Sequence, residues 1–311
     1  MPLPAYFPEL ASLDLFTTVV EVGSVSRAAK AHGITQPSAS SRLKHLERQL
    51  GLQLLERSPS GSRPTDAGVV VAEWAEAILR AAHELNAGLG AFRAEQTGRL
   101  RIAASFTIAE YLLPQWLDRF SRQHPKDSIA LEVLNSTVVT ERVRRGEADL
   151  GFIESPSAAA GLVSQTVGSD ELVTVVAPGH PWSRRGSVPV EALAATPLVM
   201  REAGSGTRQA LESALIELGL GPPTTVLELG STSAVRTAVV HGNAPTVISR
   251  LAVAAEINSA QLVEIHIRGL RIERQLRAIW PEGSTLSSLA RALLNDLSAE
   301  TSRPARARQH S

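Results

Sequence analysis

Residues 25–44 read Val25-Ser-Arg-Ala-Ala-Lys-Ala-His-Gly-Ile-Thr-Gln-Pro-Ser-Ala-Ser-Ser-Arg-Leu-Lys44, a helix, a turn at Gly33 and a second helix. The second helix has a clear start. The Thr35 hydroxyl can cap it, and Pro37 falls in the first turn, where its missing N–H costs nothing. Ala39, Leu43, Leu46 and Leu50 recur at steps of three and four, which predicts one buried stripe. Opposite lie Ser38, Ser41, Arg42, His45 and Arg48. Short hydroxyls allow a helix to lie deep in a major groove, and Arg42 is long enough to reach base edges or phosphates. Taken alone, the pattern fits equally well an amphipathic helix with a solvated basic face.

The flanks bear on that choice. Leu13, Phe16, Thr17 and Val20 predict a preceding helix with Ser12 as its cap. After Gly51, residues 52–64 carry Arg57 and Arg63 among serines and glycines, as a hairpin-like wing would. From Arg27 to Arg63 basic residues outnumber the acidic Glu47 and Glu56, whereas the whole chain of 311 residues has 31 Lys+Arg against 31 Asp+Glu. The positive charge is therefore local, as phosphate contact requires. Candidate DNA contacts are Arg27, Gln36, Pro37, Ser38, Ser41, Arg42, Lys44, His45, Arg57 and Arg63.

From Thr65 to about Arg93 there is no proline. Thr65 is the expected cap, with Asp66 favourable at the positive helix end. Val71, Ile78, Leu85 and Phe92 stand seven apart, with Trp74 beside them, a spacing that predicts a helix-on-helix seam. The alternative is that this face packs on its own domain. About 28 residues make a helix of ~42 Å, more than one small head can cover, which favours dimerisation through Val71, Trp74, Ile78, Leu85 and Phe92.

Beyond Gln96-Thr97-Gly98, strand-like and helix-like segments alternate, which predicts an α/β fold. Strands are expected at 100–104, 129–134, 149–153, 172–177, 198–200, 226–229, 246–249, 262–267 and 275–280. Helices are expected at 111–122, 138–145, 208–218, 233–240 and 286–297. Four strand-to-helix junctions share one chemistry: Ser105-Phe106-Thr107, Asn135-Ser136-Thr137, Gly204-Ser205-Gly206-Thr207 and Gly230-Ser231-Thr232. Hydroxyls and free N–H groups at helix N-termini bind anions, although simple N-capping explains any one of them. Four along one sheet edge would form a cleft, where ligands bind in open α/β sheets.

Composition bounds the rest. A hydrophobic content of 43% with 20% charged residues is that of a chain with real cores, long enough for two or three domains. Zero net charge implies no global attraction to nucleic acid or membrane. The absence of cysteine excludes disulfides and thiolate metal sites. No apolar run approaches the ~18–20 residues of a membrane span, and the first residues lack a secretory pattern, so a cytoplasmic location is expected.

Several motifs together carry a family resemblance. Gly23-Ser24, Arg27-Ala28-Ala29, Thr35-Gln36-Pro37-Ser38-Ala39-Ser40, Leu46-Glu47, Leu50-Gly51, Leu55-Glu56-Arg57 and Thr65-Asp66-Ala67-Gly68 follow one another as in the winged helix-turn-helix head of LysR-type transcriptional regulators. Residues 99–108, Asp149-Leu-Gly-Phe-Ile-Glu154, Ala177-Pro-Gly-His-Pro181 and Arg201-Glu-Ala-Gly-Ser-Gly-Thr-Arg208 resemble the effector domain of the same family. The resemblance spans nearly the whole chain. It implies an all-α winged head at 8–65, a linker and dimerisation helix at 66–95, a two-subdomain effector domain similar to periplasmic binding proteins at 98–300, and a tail at 301–311. Subdomain one would take about 98–170 and 272–300, and subdomain two 171–271. The implied effector positions are Ser105, Phe106, Thr107, Asn135, Thr137, Ser205, Gly206, Thr207, Ser231 and Thr232. The implied partners are an operator duplex, a small and anionic effector (a carboxylate, phosphate or sulfur oxyanion), further copies of the chain as dimer or tetramer, and RNA polymerase. One departure is His241-Gly-Asn-Ala-Pro-Thr-Val247, where relatives carry a glycine-rich turn.

No phosphate loop, zinc motif or nucleophile elbow appears, so neither enzymatic activity nor a metal nor any cofactor beyond the effector is expected. The rival reading is a solute-binding protein whose N-terminal helices serve oligomerisation alone. The tail, with Arg303, Arg306 and Arg308, reads as disordered or as an auxiliary DNA contact.

Overall fold

The computed structural model describes residues 7–58, 61–154, 159 and 161–301. The chain forms two compact units that divide between Leu85 and Asn86. The first begins with α1 (Leu10–Val22), α2 (Val25–Ala31) and α3 (Gln36–Leu50), then a hairpin of β1 (Leu55–Ser58) and β2 (Gly61–Pro64). Helix α4 (Asp66–Thr97) starts in this unit and ends in the second. Phe16, Leu43, Leu46, Leu54 and Val71 share one core. Ser12 does not cap α1. The helix starts three residues earlier than that cap would place it, with Glu9 at its N-cap, and Ser12 is buried in the first turn. Thr65 does cap α4, accepting from Gly68 N at 2.9 Å. Gly98, at φ 58°, follows the end of α4, and four residues beyond Arg93 still belong to the helix.

The second unit opens with β3 (Arg99–Ser105), α5 (Phe106–Tyr111), α6 (Leu113–Gln123), β4 (Ser128–Leu134), α7 (Ser136–Arg144) and β5 (Leu150–Glu154). Strand β3 lies between β4 and β5, parallel to both. The single helix expected at 111–122 is two helices that meet at Leu112. Pro114 takes the first turn of α6, the one helical place that needs no N–H from it.

The long strand β6 (Leu162–Val176) follows. Only its last residues were expected, because 164–171 are mostly polar and have the composition of a loop. It pairs antiparallel with β12 (Ile272–Pro281), from Leu162↔Pro281 to Leu172↔Ile272. Between them in sequence come a 3₁₀ turn (Pro181–Arg184), β7 (Ser187–Pro189), α8 (Val190–Ala194), β8 (Leu198–Arg201), α9 (Gly206–Glu217), β9 (Thr225–Leu229), α10 (Thr232–His241), β10 (Thr246–Ser249), α11 (Arg250–Asn258) and β11 (Val263–Arg268). Helix α12 (Ser288–Thr301) closes the described chain.

Two lobes result. Leu100, Phe120 and Phe152 share a core with Leu276, Leu293 and Leu297, so β12 and α12 return to the first lobe. The second lobe is built on the C-terminal part of β6, flanked by β10 and β11, with Leu193, Met200 and Leu215 in its core. Strands β6 and β12 are thus the two crossings between the lobes. Pro245 has a definite role in the departing segment 241–247. Its carbonyl accepts from Val199 N at 3.0 Å, tying that turn to β8, a bond that needs no N–H from the proline. His241 is exposed at the end of α10. Among the described residues no helix is long and apolar enough to cross a membrane.

Candidate functional site

In the first unit, α3 presents the expected faces. Thr35 Oγ1 accepts from Ser38 N at 3.3 Å and lies 2.9 Å from the Ser38 hydroxyl. Ala39, Leu43 and Leu46 are buried, with Leu50 packed partly against them. Gln36, Pro37, Ser38, Ser41, Lys44, His45 and Arg48 are exposed, and Arg42 is half-buried. Glu47 does not offset this basic surface at random. Its Oε1 accepts from Leu54 N at 2.9 Å and Leu55 N at 3.2 Å, so the carboxylate holds the start of the wing. The wing is also tied to the α1–α2 turn through Ser62 N and Gly23 O. Arg63 is exposed on β2, and Arg27 is exposed on α2 with its guanidinium donating to the Val22 carbonyl. The side chain of Arg57 and the whole of the basic tail lie outside the described residues.

On α4, Val71 belongs to the core of its own unit and Ile78 packs against that core. Trp74, Leu85, Leu89 and Phe92 are exposed. The seven-residue spacing therefore joins two kinds of surroundings, and Val71 is accounted for without a second copy.

In the second unit, three of the four hydroxyl-bearing junctions face one another between the lobes. Ser105, Thr107, Asn135, Ser205, Gly206 and Thr207 line one space, with Phe106, Ser136, Glu154 and Arg201. The side chains meet so closely that a water-sized sphere does not fit. Thr137 N donates to Gly204 O at 3.1 Å across this boundary. The junctions are not alike. Asn135 and Ser231 are ordinary caps, accepting from Val138 N and Ala234 N. Ser105 and Ser205 make no cap bond with their hydroxyls, and Ser105 Oγ is buried with no hydrogen-bond partner among the described residues. A buried hydroxyl without a partner is costly in a finished core and is ordinary in a binding site.

Four buried charges line or brace this space. Arg201, on β8, stacks over the Phe106 ring at 4.4 Å, pairs with Glu202 at 2.8 Å and donates to Thr232 Oγ1 at 2.9 Å. Arg274, on β12, pairs with Asp170 on β6 at 2.6 Å, and its Nη1 and Nη2 reach the hydroxyls of Thr207 and Thr107. Glu154 accepts from Ser136 Oγ at 2.9 Å. Gly206 is required where it stands, because a Cβ there would lie 2.4 Å from the Glu154 carbonyl oxygen. Sequence reasoning missed Glu154, Arg201, Asp170 and Arg274. The first two lie in quoted motifs and were available. Asp170 and Arg274 are 104 residues apart on strands that only the fold brings together.

Two family matches cover this architecture. The bacterial regulatory helix-turn-helix family of LysR type matches residues 10–69, and the LysR substrate binding domain matches residues 93–302. This chain is a LysR-type transcriptional regulator. The regulator Rv2282c of Mycobacterium tuberculosis, an HTH-type transcriptional regulator described as uncharacterised, is 44% identical over 92% of this chain and 94% of its own. The similarly described YeiE of Escherichia coli K12 is 34% identical over 92% of this chain and 96% of its own. Among solved structures, the regulatory domain of Synechocystis CcmR in complex with 2-PG is similar with a TM-score of 0.60 and 28% identity, over 66% of this chain and 98% of that one. The LysR-type chain therefore joins a DNA-binding head to an effector-binding domain, and the relatives named for a function are transcriptional regulators rather than enzymes.

Proposed function

We propose that this LysR-type regulator reads an operator with α3 and its wing and senses a small oxyanion between the two lobes. Base-edge contacts are assigned to Gln36, Ser38, Ser41 and Arg42, and phosphate contacts to Arg27, Lys44, His45 and Arg63, with Pro37 setting the entry of α3. The effector site is assigned to Ser105, Thr107, Asn135, Thr137, Ser205 and Thr207, with Phe106 and Gly206 shaping it. Ser231 and Thr232 support it from α10. The observation that carries this reading is the convergence of capless hydroxyls from both lobes on one space, with Ser105 Oγ unpartnered. The complex of the similar CcmR regulatory domain with 2-PG supports a small-molecule effector for this domain.

Two copies pair through the exposed Trp74, Leu85, Leu89 and Phe92 of α4, and dimers associate as tetramers. An anion that favours one relative orientation of the lobes changes head spacing on DNA, a population shift between two arrangements. The working boundaries are a head at 8–65, a linker at 66–95 and an effector domain at 98–300. The protein acts in the cytoplasm, with RNA polymerase as its further partner.

The deciding experiment is selection of bound fragments from random duplex DNA, followed by titration at two salt concentrations. A repeated, near-palindromic motif with steep salt dependence is the expected result. Weak binding without a motif would replace this reading with that of a solute-binding protein whose N-terminal helices only oligomerise.

A further inference from the structure

The hydrogen-bond directions in the cleft restrict the ligand beyond its charge. Arg274 Nη1 donates to Thr207 Oγ1 at 3.0 Å and Nη2 to Thr107 Oγ1 at 3.2 Å. A guanidinium can only donate, so both threonine oxygens accept and their own protons remain to be given away. Among the described residues neither hydroxyl donates to a protein acceptor. Arg274 is held in this role by Asp170, whose Oδ2 takes Nε at 2.9 Å and Nη2 at 2.6 Å while Oδ1 accepts from Ser249. Both side chains are almost wholly buried, at 3% and 1% exposure. One threonine on α5 and one on α9 are thereby preset as donors from opposite lobes. The unpartnered Ser105 hydroxyl lines the same space.

Glu154 has the opposite character. It is 4% exposed, takes one hydroxyl from Ser136, and its Oε1 lies 3.9 Å from Arg274 Nη2, beyond hydrogen-bond range. A carboxylate offers about four acceptor positions, and among the described residues the Ser136 hydroxyl fills one of them, which leaves acceptor capacity facing the cleft. We propose that the effector's head group is an oxyanion that itself carries one donor, an acid proton, hydroxyl or ammonium. Its acceptor oxygens face Thr107 and Thr207, and its donor faces Glu154. Arg274 and Asp170 are positioning residues that act through the threonines. The inference rests on the cleft being the effector site.

The test is titration calorimetry of the full chain with sulfate and with phosphate in mildly alkaline buffer. Both are then tetrahedral dianions of similar size, and only phosphate keeps a proton. Phosphate should bind about tenfold or more tighter, as expected for one hydrogen bond to a charged group. Glu154→Gln should abolish or invert that preference. Thr107→Val, which leaves the Arg274–Asp170 pair intact, should weaken both anions by a similar factor without changing their ratio, an effect that loss of fold would not give. Sulfate binding as tightly as phosphate overturns the role of Glu154 and leaves an anion cleft standing. A Thr107→Val chain that binds both anions as well as the parent overturns the preset donor. Heat from neither anion overturns the oxyanion cleft itself.

Discussion

Single residues decide what each unit can read. Arg42 is half-buried on α3, with Ser38 and Ser41 exposed near it. A bidentate arginine–base contact discriminates by about 1–3 kcal/mol. Arg42→Ala should therefore lose about tenfold to a hundredfold of specific affinity while motif-free binding is kept, as gel-shift titration on the selected operator and on a scrambled duplex would show. Arg63→Ala, in contrast, should weaken both duplexes alike and lower the salt slope by about one. At Gly206 the issue is space. Alanine would drive a methyl group against the Glu154 carbonyl, so Gly206→Ala should keep operator affinity and lose the effector response. Unaltered induction in that variant would refute the close approach.

At the scale of elements, α3 was legible because its signals are local. Thr35, Pro37 and the Ala39-Leu43-Leu46 stripe each act within one or two turns, and the structure keeps all of them. The junction helices were legible as helices, yet which hydroxyls cap and which stay free was not, since Ser105 and Asn135 have the same local sequence logic. The heptad of α4 misled in part, because burial of Val71 and exposure of Leu85 depend on what each end of the helix rests against. If α4 pairs copies through its exposed stripe, Leu85→Glu with Phe92→Glu should convert dimers to monomers in sedimentation, and Val71→Ala should instead destabilise the head by about 1.5–3 kcal/mol through a core cavity. The turn before β7 gives a pH prediction. His180 Nδ1 accepts from Trp182 N, and burial holds its pKa below the ordinary histidine value. The folded form thus binds fewer protons than the unfolded one. Its contribution to stability is complete above the ordinary value and is lost as pH falls below it. His180→Asn, which can still accept from Trp182 N, should flatten that acid limb in thermal melts.

For the whole molecule, two compact units imply two unfolding transitions, and the Asp170–Arg274 pair belongs to the second. Breaking a buried pair by removing one charge costs about 3–5 kcal/mol. Asp170→Asn should lower the calorimetric transition of residues 86–301 and leave that of the head in place. A single transition shifting as one would contradict the independence of the units. By itself the sequence determined the head, the long helix α4, most of the alternating strands and helices though not β7, α8, α11 or the break between α5 and α6, and the hydroxyl-bearing junctions, because capping, periodicity and charge clustering are written within a few residues. The tertiary structure alone decided that polar segment 164–171 is a crossing strand, that β12 returns to the first lobe, and that Asp170 and Arg274 meet under two threonines. Those outcomes depend on pairing across about a hundred residues, where no local propensity carries information and only the packed sheet selects the partner.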